Sequence, residues 1–428
     1  MGRLVAAVSN LDRLFHAWRS VRAQVRGSSW PQLAAELDAI DAAPLRTLRA
    51  IQRRIREGRY EFSPKWGYAK RKSGGSRRGV TVHGVGDRIV QRAILDTFYT
   101  RDDAIRKSLG AIPDVLNNSA SFAGTPGRGV PEAVALVVRM IRGGASWFAL
   151  SDIKDFFPYI PRNEVVEYVA GQVGDDDFVA LFRAALETEI RNRDELSRWL
   201  DLFPIHEVGV AQGSLLSVLV GNLSLRRFDS LMNAGGITTV RYLDDFAILG
   251  PGEAAVVDAF RAAQAELAGL GMSCYEPGDG SHKAFLGRVA DGLDFLGCRV
   301  HPDGVSPGRR ARRNLVREIA LTITDAKARI LDADAPAFRR RAEPMYAQAL
   351  ARIDRKICGW GDAFRFLSNR VAFAQIDEEI DRMLAEFQGW FHRRYNAADA
   401  LTRRRIAGVA LLRDTPPKAP DSADEWRA

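Results

Sequence analysis

Three carboxylates carry the chemistry that this sequence offers. The stretch "RYLDDFAILG", Arg241 to Gly250, sets Asp244 and Asp245 side by side among β-branched and aromatic residues, and "FALSDIKDFF" puts Asp152 at the end of an apolar run. Two like charges at a hairpin tip repel, and a charge closing a buried strand lacks a partner; a bound divalent cation relieves both costs. Asp is also favoured in turns, so the pair gains meaning only with the third acid. Three carboxylates on adjacent strand ends can hold two Mg²⁺ ions about 3.5–4 Å apart, which clamps the attacking and leaving oxygens of a phosphoryl transfer. The expected chemistry is nucleotidyl transfer with two Mg²⁺ ions, Mn²⁺ being the alternative ion.

Such acids need strand ends fixed on a large core. With 428 residues, 46% of them apolar, the chain can bury one and by length suggests two or three packed subdomains. Apolar spacing of three and four predicts helices in "LDRLFHAWRSVRAQVR" and "LAAELDAIDAAPLRTLRAIQRRIREG". "KSGGSRRG" interrupts a strand-like stretch, which predicts a β-hairpin with a basic tip. "GDRIVQRAILDTFY" and "EAVALVVRMIRGG" read as helices on either side of the long loop "NNSASFAGTPGRGVP". "SWFALSDIKDFF" reads as a buried strand, "SLLSVLVGNLSLRRFDSLM" as one long amphipathic helix, and "GITTVRYLDDFAILG" as two short strands flanking the paired acids. From about 307 to 412 the chain is helix-rich, and the Pro-rich, charged tail 413–428 is expected to be disordered.

Composition excludes several classes. No segment approaches the roughly 20 apolar residues of a membrane span, so a cytoplasmic protein without a membrane partner is expected. Cys274, Cys298 and Cys358 are far apart, and neither they nor the six histidines show metal-ligand spacing, which argues against a disulfide framework or a zinc site. The net charge is +9, and its arginines and lysines gather in two regions, Arg53 to Gly79 and Pro307 to Ile319 continuing through Arg339, Arg340 and Arg341. Tyr60, Phe62, Trp66 and Tyr68 interleave with the first cluster. A solvated face is the plain alternative, but arginine preferred over lysine points to a polyanionic partner, nucleic acid.

"DIKDFF", "AQGSLLSVLVGNLSL", "RYLDDFAIL" and "LDFLGCRV" stand in the order and approximate spacing of the reverse transcriptases, nearest to the group II intron and related bacterial branch. The resemblance covers roughly residues 58 to 304. It implies an α+β right-hand polymerase: an N-terminal helical extension (1–57), fingers and palm with an antiparallel sheet and a YxDD hairpin (58–304), an α-helical thumb (305–412) and the tail. It further implies that Asp152, Asp244 and Asp245 bind the metals with the Ile153 carbonyl, and that Tyr242 lies near the primer end. Phe157 occupies the family's steric gate, with Phe156 or Phe157 the alternative core residue. Lys70 and Arg77 match the fingers positions that grip the triphosphate, with Lys72 and Arg78 as rivals. Gln212 and Gly213 match the loop against the nascent base pair, unless "GVAQGS" is only a helix-starting turn capped by Ser214. Lys283 is similar to the lysine that protonates departing pyrophosphate, although a lone lysine is more often solvated.

Departures narrow the branch. There is no Cys/His-bearing endonuclease, no QGxxxSQ element and no Asn-Ala-x-x-His or Val-Thr-Gly, so what remains is the stand-alone bacterial set, many of them linked to anti-phage defence. The leading expectation is RNA-templated DNA synthesis with a dedicated noncoding RNA as partner and deoxynucleotide triphosphates as substrates. Template-independent or protein-primed synthesis and a maturase-like RNA-binding role are the alternatives, and a homo-oligomer is left open.

Overall fold

The first 56 residues realise their apolar spacing as four helices: α1 (Arg3–Val8), α2 (Leu11–Val25), α3 (Pro31–Ala42) and α4 (Pro44–Arg56). The computed structural model describes residues 1–414 apart from 29, 73–74, 205–206, 234–236, 335–344, 368 and 410. Asn10 caps α2 by accepting from the Arg13 amide, and α3 and α4 each open on proline, whose missing N–H costs nothing in a first turn. Leu14 and Val21 of α2, Leu37 of α3 and Leu48 of α4 join one apolar core with Ile89, Val90 and Ile94 of α5 (Val85–Phe98). These helices therefore brace α5 rather than stand apart from it.

The chain divides into two compact units, Met1–Asp291 and Gly292–Ala428. In the first, β1 (Trp66–Arg71) and β2 (Arg77–Val82) form the antiparallel basic hairpin. A four-stranded antiparallel sheet, in the order β4-β5-β3-β6, is built from β3 (Trp147–Asp152), β4 (Thr238–Tyr242), β5 (Asp245–Gly250) and β6 (Phe285–Arg288). Ala149, Phe246 and Ile248 of this sheet and Val256, Phe260, Ala263 and Leu267 of the helix Glu253–Gly269 share the same core.

The second unit holds a meander, β7 (Leu293–Phe295), β8 (Cys298–His301) and β9 (Gly304–Pro307), and the helices Arg309–Leu331, Met345–Phe364, Val371–Ala397 and Ala400–Ile406. The aromatic residues of its helices pack on one another, Tyr346 stacking on Phe391 with ring centroids 4.2 Å apart. The fold class is the expected α+β, with antiparallel sheets and, in the part of the sequence where the thumb is expected, an α-helical segment. Arg339, Arg340 and Arg341 and all of the tail beyond residue 414 lie outside the described residues.

One expected element differs. The segment read as a single long helix is two, Ser217–Ser224 and Arg226–Leu231, interrupted at Leu225. The Ser224 hydroxyl donates to the Gly221 carbonyl, competing with the backbone ladder at that turn, as serine does inside helices. Both halves stay buried through Leu219, Val220, Leu223 and Phe228.

A buried Asp175 joins two helix starts. It accepts from the Leu4 and Val5 amides at 2.7 and 3.1 Å and from the Phe178 amide of its own helix, Asp176–Leu186, at 3.2 Å. A cap is worth about 1 kcal/mol, and this carboxylate serves two. Asp175→Ala is expected to cost about 2–3 kcal/mol in chemical denaturation, most of it as loosening of α1; a loss below about 0.5 kcal/mol would contradict the double cap.

Candidate active site

Strand register brings the three acids together. Asp152, the last residue of β3, lies directly opposite Asp245, the first residue of β5, and Asp245 is also opposite Tyr242 at the end of β4. Between them Leu243 takes a left-handed backbone conformation, φ 63°, and the Ile153 amide donates to the Asp244 carbonyl at 3.0 Å. The β4–β5 turn is thus tied to the residue following Asp152.

The charges respond to this crowding. Burial, then the Asp152 charge, pushes Asp244 up to about 6. Desolvation followed by the charges of Asp244 and Asp152 pushes Asp245 up to about 7, although its side chain keeps an exposed edge. Lys283 opposes both shifts. Its ammonium donates to Asp152 Oδ2 and lies 4.4 Å from the Tyr275 ring centroid, so Lys283, while still half-exposed, meets the acids rather than standing alone in solvent.

Hard oxygen donors that repel one another suit a hard divalent cation such as Mg²⁺. Asp152, Asp244, Asp245 and the Ile153 carbonyl are the groups that would hold it. Among the described residues no three metal-ligating side chains already converge on one point, and Asp152 accepts from Lys283. The donor set fits the ion by chemistry and by shared repulsion.

Arg241, two residues before Leu243, holds the turn from behind. Its guanidinium donates to both Asp229 oxygens at 2.7 and 2.6 Å, to Ser121 Oγ at 2.7 Å, to Asn222 Oδ1 at 3.1 Å and to the Leu243 carbonyl at 3.0 Å. The motif match passed over this residue; an arginine inside an otherwise uncharged strand was the available signal.

The basic hairpin sorts its charges by face, since residues opposite one another in an antiparallel pair share a face. Lys70 is opposite Arg78, whereas Arg77 is opposite Arg71. Arg77 stacks on Trp199 at 4.9 Å and donates to the Ala69 carbonyl at 2.8 Å. The structure therefore brings Lys70 together with Arg78 and not with Arg77. Lys72 reaches Asp155, three residues beyond Asp152, at 3.0 Å. Residues 73–74 of the expected tip lie outside the described residues.

The Gln212 carbonyl accepts the Thr81 amide of β2 at 2.7 Å, and a Cβ on Gly213 would come 2.1 Å from the Thr81 carbonyl oxygen. Glycine at φ 117° is what permits this approach. Ser214 accepts the Leu216 amide at 3.2 Å but the helix begins only at Ser217, so Ser214 shapes the turn rather than capping the helix. Of the two phenylalanines Phe156 is core, 2% exposed and resting on Gly221, while Phe157 is half-buried.

The antiparallel sheet with paired acids at its YxDD turn and the basic hairpin resemble the palm and fingers of reverse transcriptases of the group II intron-like branch. No protein-family model matches the chain. Over 199 residues it is 25% identical to a 91 kDa protein of the cob intron of Schizosaccharomyces pombe, covering 46% of this chain and 22% of that protein. It is 23% identical over 237 residues to the COX1/OXI3 intron 1 protein of Saccharomyces cerevisiae, covering 53% of this chain and 25% of that one. The chain thus spans about a quarter of the length of these two relatives. A solved apo telomerase of Candida tropicalis, truncated of its C-terminal domain, aligns with TM-score 0.39 and 14% identity over 58% of this chain and 55% of its own.

The raised carboxylates give a pH dependence. The folded protein retains protons on Asp244 and Asp245 that the unfolded chain, titrating near 3.8, releases. The stability these groups contribute is complete below that value and declines as pH rises through about 6 and about 7. In EDTA, Asp245→Asn should melt with the wild type near pH 4 and progressively above it as pH approaches 7. A difference in melting temperature that does not change with pH would contradict the repulsion.

Proposed function

We propose that this chain is an RNA-directed DNA polymerase acting by two-metal nucleotidyl transfer. The observation that carries the proposal is the register pairing of Asp152 with Asp245 beside Asp244, which concentrates three mutually repelling carboxylates at one strand end. Two Mg²⁺ ions bound there, or Mn²⁺ in their place, would supply Lewis acidity to the attacking and leaving oxygens.

The chain's own groups do the rest. Asp152, Asp244, Asp245 and the Ile153 carbonyl hold the ions, and Lys70 with Arg78 binds the triphosphate of the incoming deoxynucleotide. Gln212 and Gly213, fixed to β2 through Thr81, support the nascent base pair. Phe157 excludes a ribose 2′-hydroxyl, Tyr242 borders the primer end, and Lys283 Nζ donates a proton to departing pyrophosphate. The template is RNA, and by resemblance alone we assign a dedicated noncoding RNA and a role in anti-phage defence.

The decisive experiment purifies wild type and Asp244→Ala with bound RNA retained, adds Mg²⁺ and labelled deoxynucleotides, and sequences any product. DNA mapping to a co-purified RNA, made by the wild type alone, is the expected result; Asp244→Ala should keep its fold because the turn loses repulsion rather than packing. Product that survives RNase pretreatment would transfer the assignment to untemplated synthesis, and DNA covalently bound to tyrosine to protein priming. Tight RNA binding without DNA, and function preserved when both Asp244 and Asp245 are replaced, would support the maturase-like role. In the same assay Phe157→Ala is expected to raise ribonucleotide incorporation about 10- to 100-fold, read by alkaline cleavage of the product.

A further inference from the structure

Beyond β3 the loop after the helix Glu253–Gly269 returns along the edge of β3 opposite β5. Ile153 bridges Cys274, the Tyr275 amide donates to the Asp152 carbonyl at 3.1 Å, and the Lys154 amide donates to the Ser273 carbonyl at 2.8 Å. Ser151 Oγ donates to the Tyr275 carbonyl at 2.8 Å, so the backbone of Tyr275 is held on both sides. Its ring thereby stands beside the strand end that carries Asp152.

Two ammonium groups share that ring: Lys154 Nζ lies 5.0 Å and Lys283 Nζ 4.4 Å from its centroid. Two cations gathered at one site repel, and the negative face of an aromatic ring offsets part of that cost. Lys283 also meets Asp152, but Lys154 has no ion-pair partner among the described residues. The nearby Asp279 carboxylate is already occupied by the Ser281 and Glu276 amides, at 2.8 and 3.1 Å. A second ammonium, attracted by Asp279 only beyond ion-pair distance, stands beside the reacting strand end and suits a polyanion.

We propose that Tyr275 is a positioning residue that holds Lys154 and Lys283 as a paired cationic seat for a pyrophosphate group, with Lys154 contacting the phosphate directly. Resting on the polymerase reading, this names the seat of the leaving group and of the matching end of the incoming triphosphate. Two lysines on a fixed aromatic platform present point charges to a diphosphate without the rigid fork of arginine, which suits a group that must arrive and leave.

The test uses full-length wild type, Lys154→Met, Tyr275→Leu and Tyr275→Phe. Binding of inorganic pyrophosphate with Mg²⁺ is measured by calorimetry, and KM and kcat for deoxynucleotide in the same preparations. Lys154→Met should weaken pyrophosphate about tenfold, the loss of a charge-assisted contact. Tyr275→Leu should weaken it about threefold, the worth of a cation–π platform. Both should raise KM more than they lower kcat, while Tyr275→Phe, which keeps the ring, should bind pyrophosphate within about twofold of wild type. Wild-type pyrophosphate affinity in both Lys154→Met and Tyr275→Leu overturns the inference, whatever their melting temperatures, and so does a loss in Tyr275→Phe equal to that in Tyr275→Leu. DNA synthesis by the wild type alongside such unaltered binding would leave the polymerase reading intact while this inference fails. Lys154-dependent pyrophosphate binding by a wild type that makes no DNA would sustain the seat and sink the polymerase.

Discussion

The candidate site depends on one buried ion pair. Arg241 is 1% exposed and Asp229 3%, and every N–H of the guanidinium is used, two on the carboxylate and the others on Ser121, Asn222 and the Leu243 carbonyl. The backbone of Arg241 pairs with the same loop, its amide donating to Ala120 and its carbonyl accepting from Phe122. One residue thus ties the loop before the helix Val130–Arg142, both halves of the interrupted helix and the turn that carries Asp244. A buried pair of this kind adds little net stability, but loss of one partner costs about 3–5 kcal/mol because the other is left charged and dry. Its value is geometric. A leucine in the left-handed region costs energy and persists only where its surroundings over-determine it, and the hydrogen bond from Arg241 to Leu243 is such a determinant.

With the turn fixed from behind, the acids in front cannot relax apart. Asp245 is paired in register with Asp152, and the Asp244 carbonyl is bonded to the Ile153 amide, so burial first and repulsion second stay in the site as raised proton affinity. This is the physical content of preorganisation: the scaffold bears the cost of assembling like charges before any ligand arrives. The interruption of the long helix at Leu225 belongs to the same scheme, since Asn222 before it and Asp229 after it both face Arg241.

The basic hairpin is tied to this centre at two points, through Thr81 to the Gln212 carbonyl and through Lys72 to Asp155. Its outer face is braced by packing instead, with Gly67 and Gly79 against Leu196, Leu202 and Phe203 and with Arg77 over Trp199. Among the described residues Lys70 and Arg78 on one face of the hairpin make no ion pair, whereas Arg77 on the other is used to hold it in place.

Local pattern made much of this legible. The acids Asp152, Asp244 and Asp245, the strands beneath them and the helices around them follow from residue type and periodicity, because burial of a two- or three-residue repeat leaves few alternatives. The order of the motifs carried the resemblance to the reverse transcriptases, and of the phenylalanine pair one ring, Phe156, is core while Phe157 packs half-buried against it. What pattern could not supply was anything set by register or by distant partners. Arg78 rather than Arg77 beside Lys70 is decided by a strand pairing that slips every side chain to the other face if it shifts by one residue. For Lys283 the pattern offered a resemblance but no partners, since Asp152 and Tyr275 are supplied by other segments of the chain. Arg241 drew no notice in the sequence, because Asp229, Ser121 and Asn222, which close around it, come from other segments of the chain. The sequence by itself determined which groups could do chemistry; the tertiary structure decided which of them meet, since charge, hydrogen bonding and burial act through space.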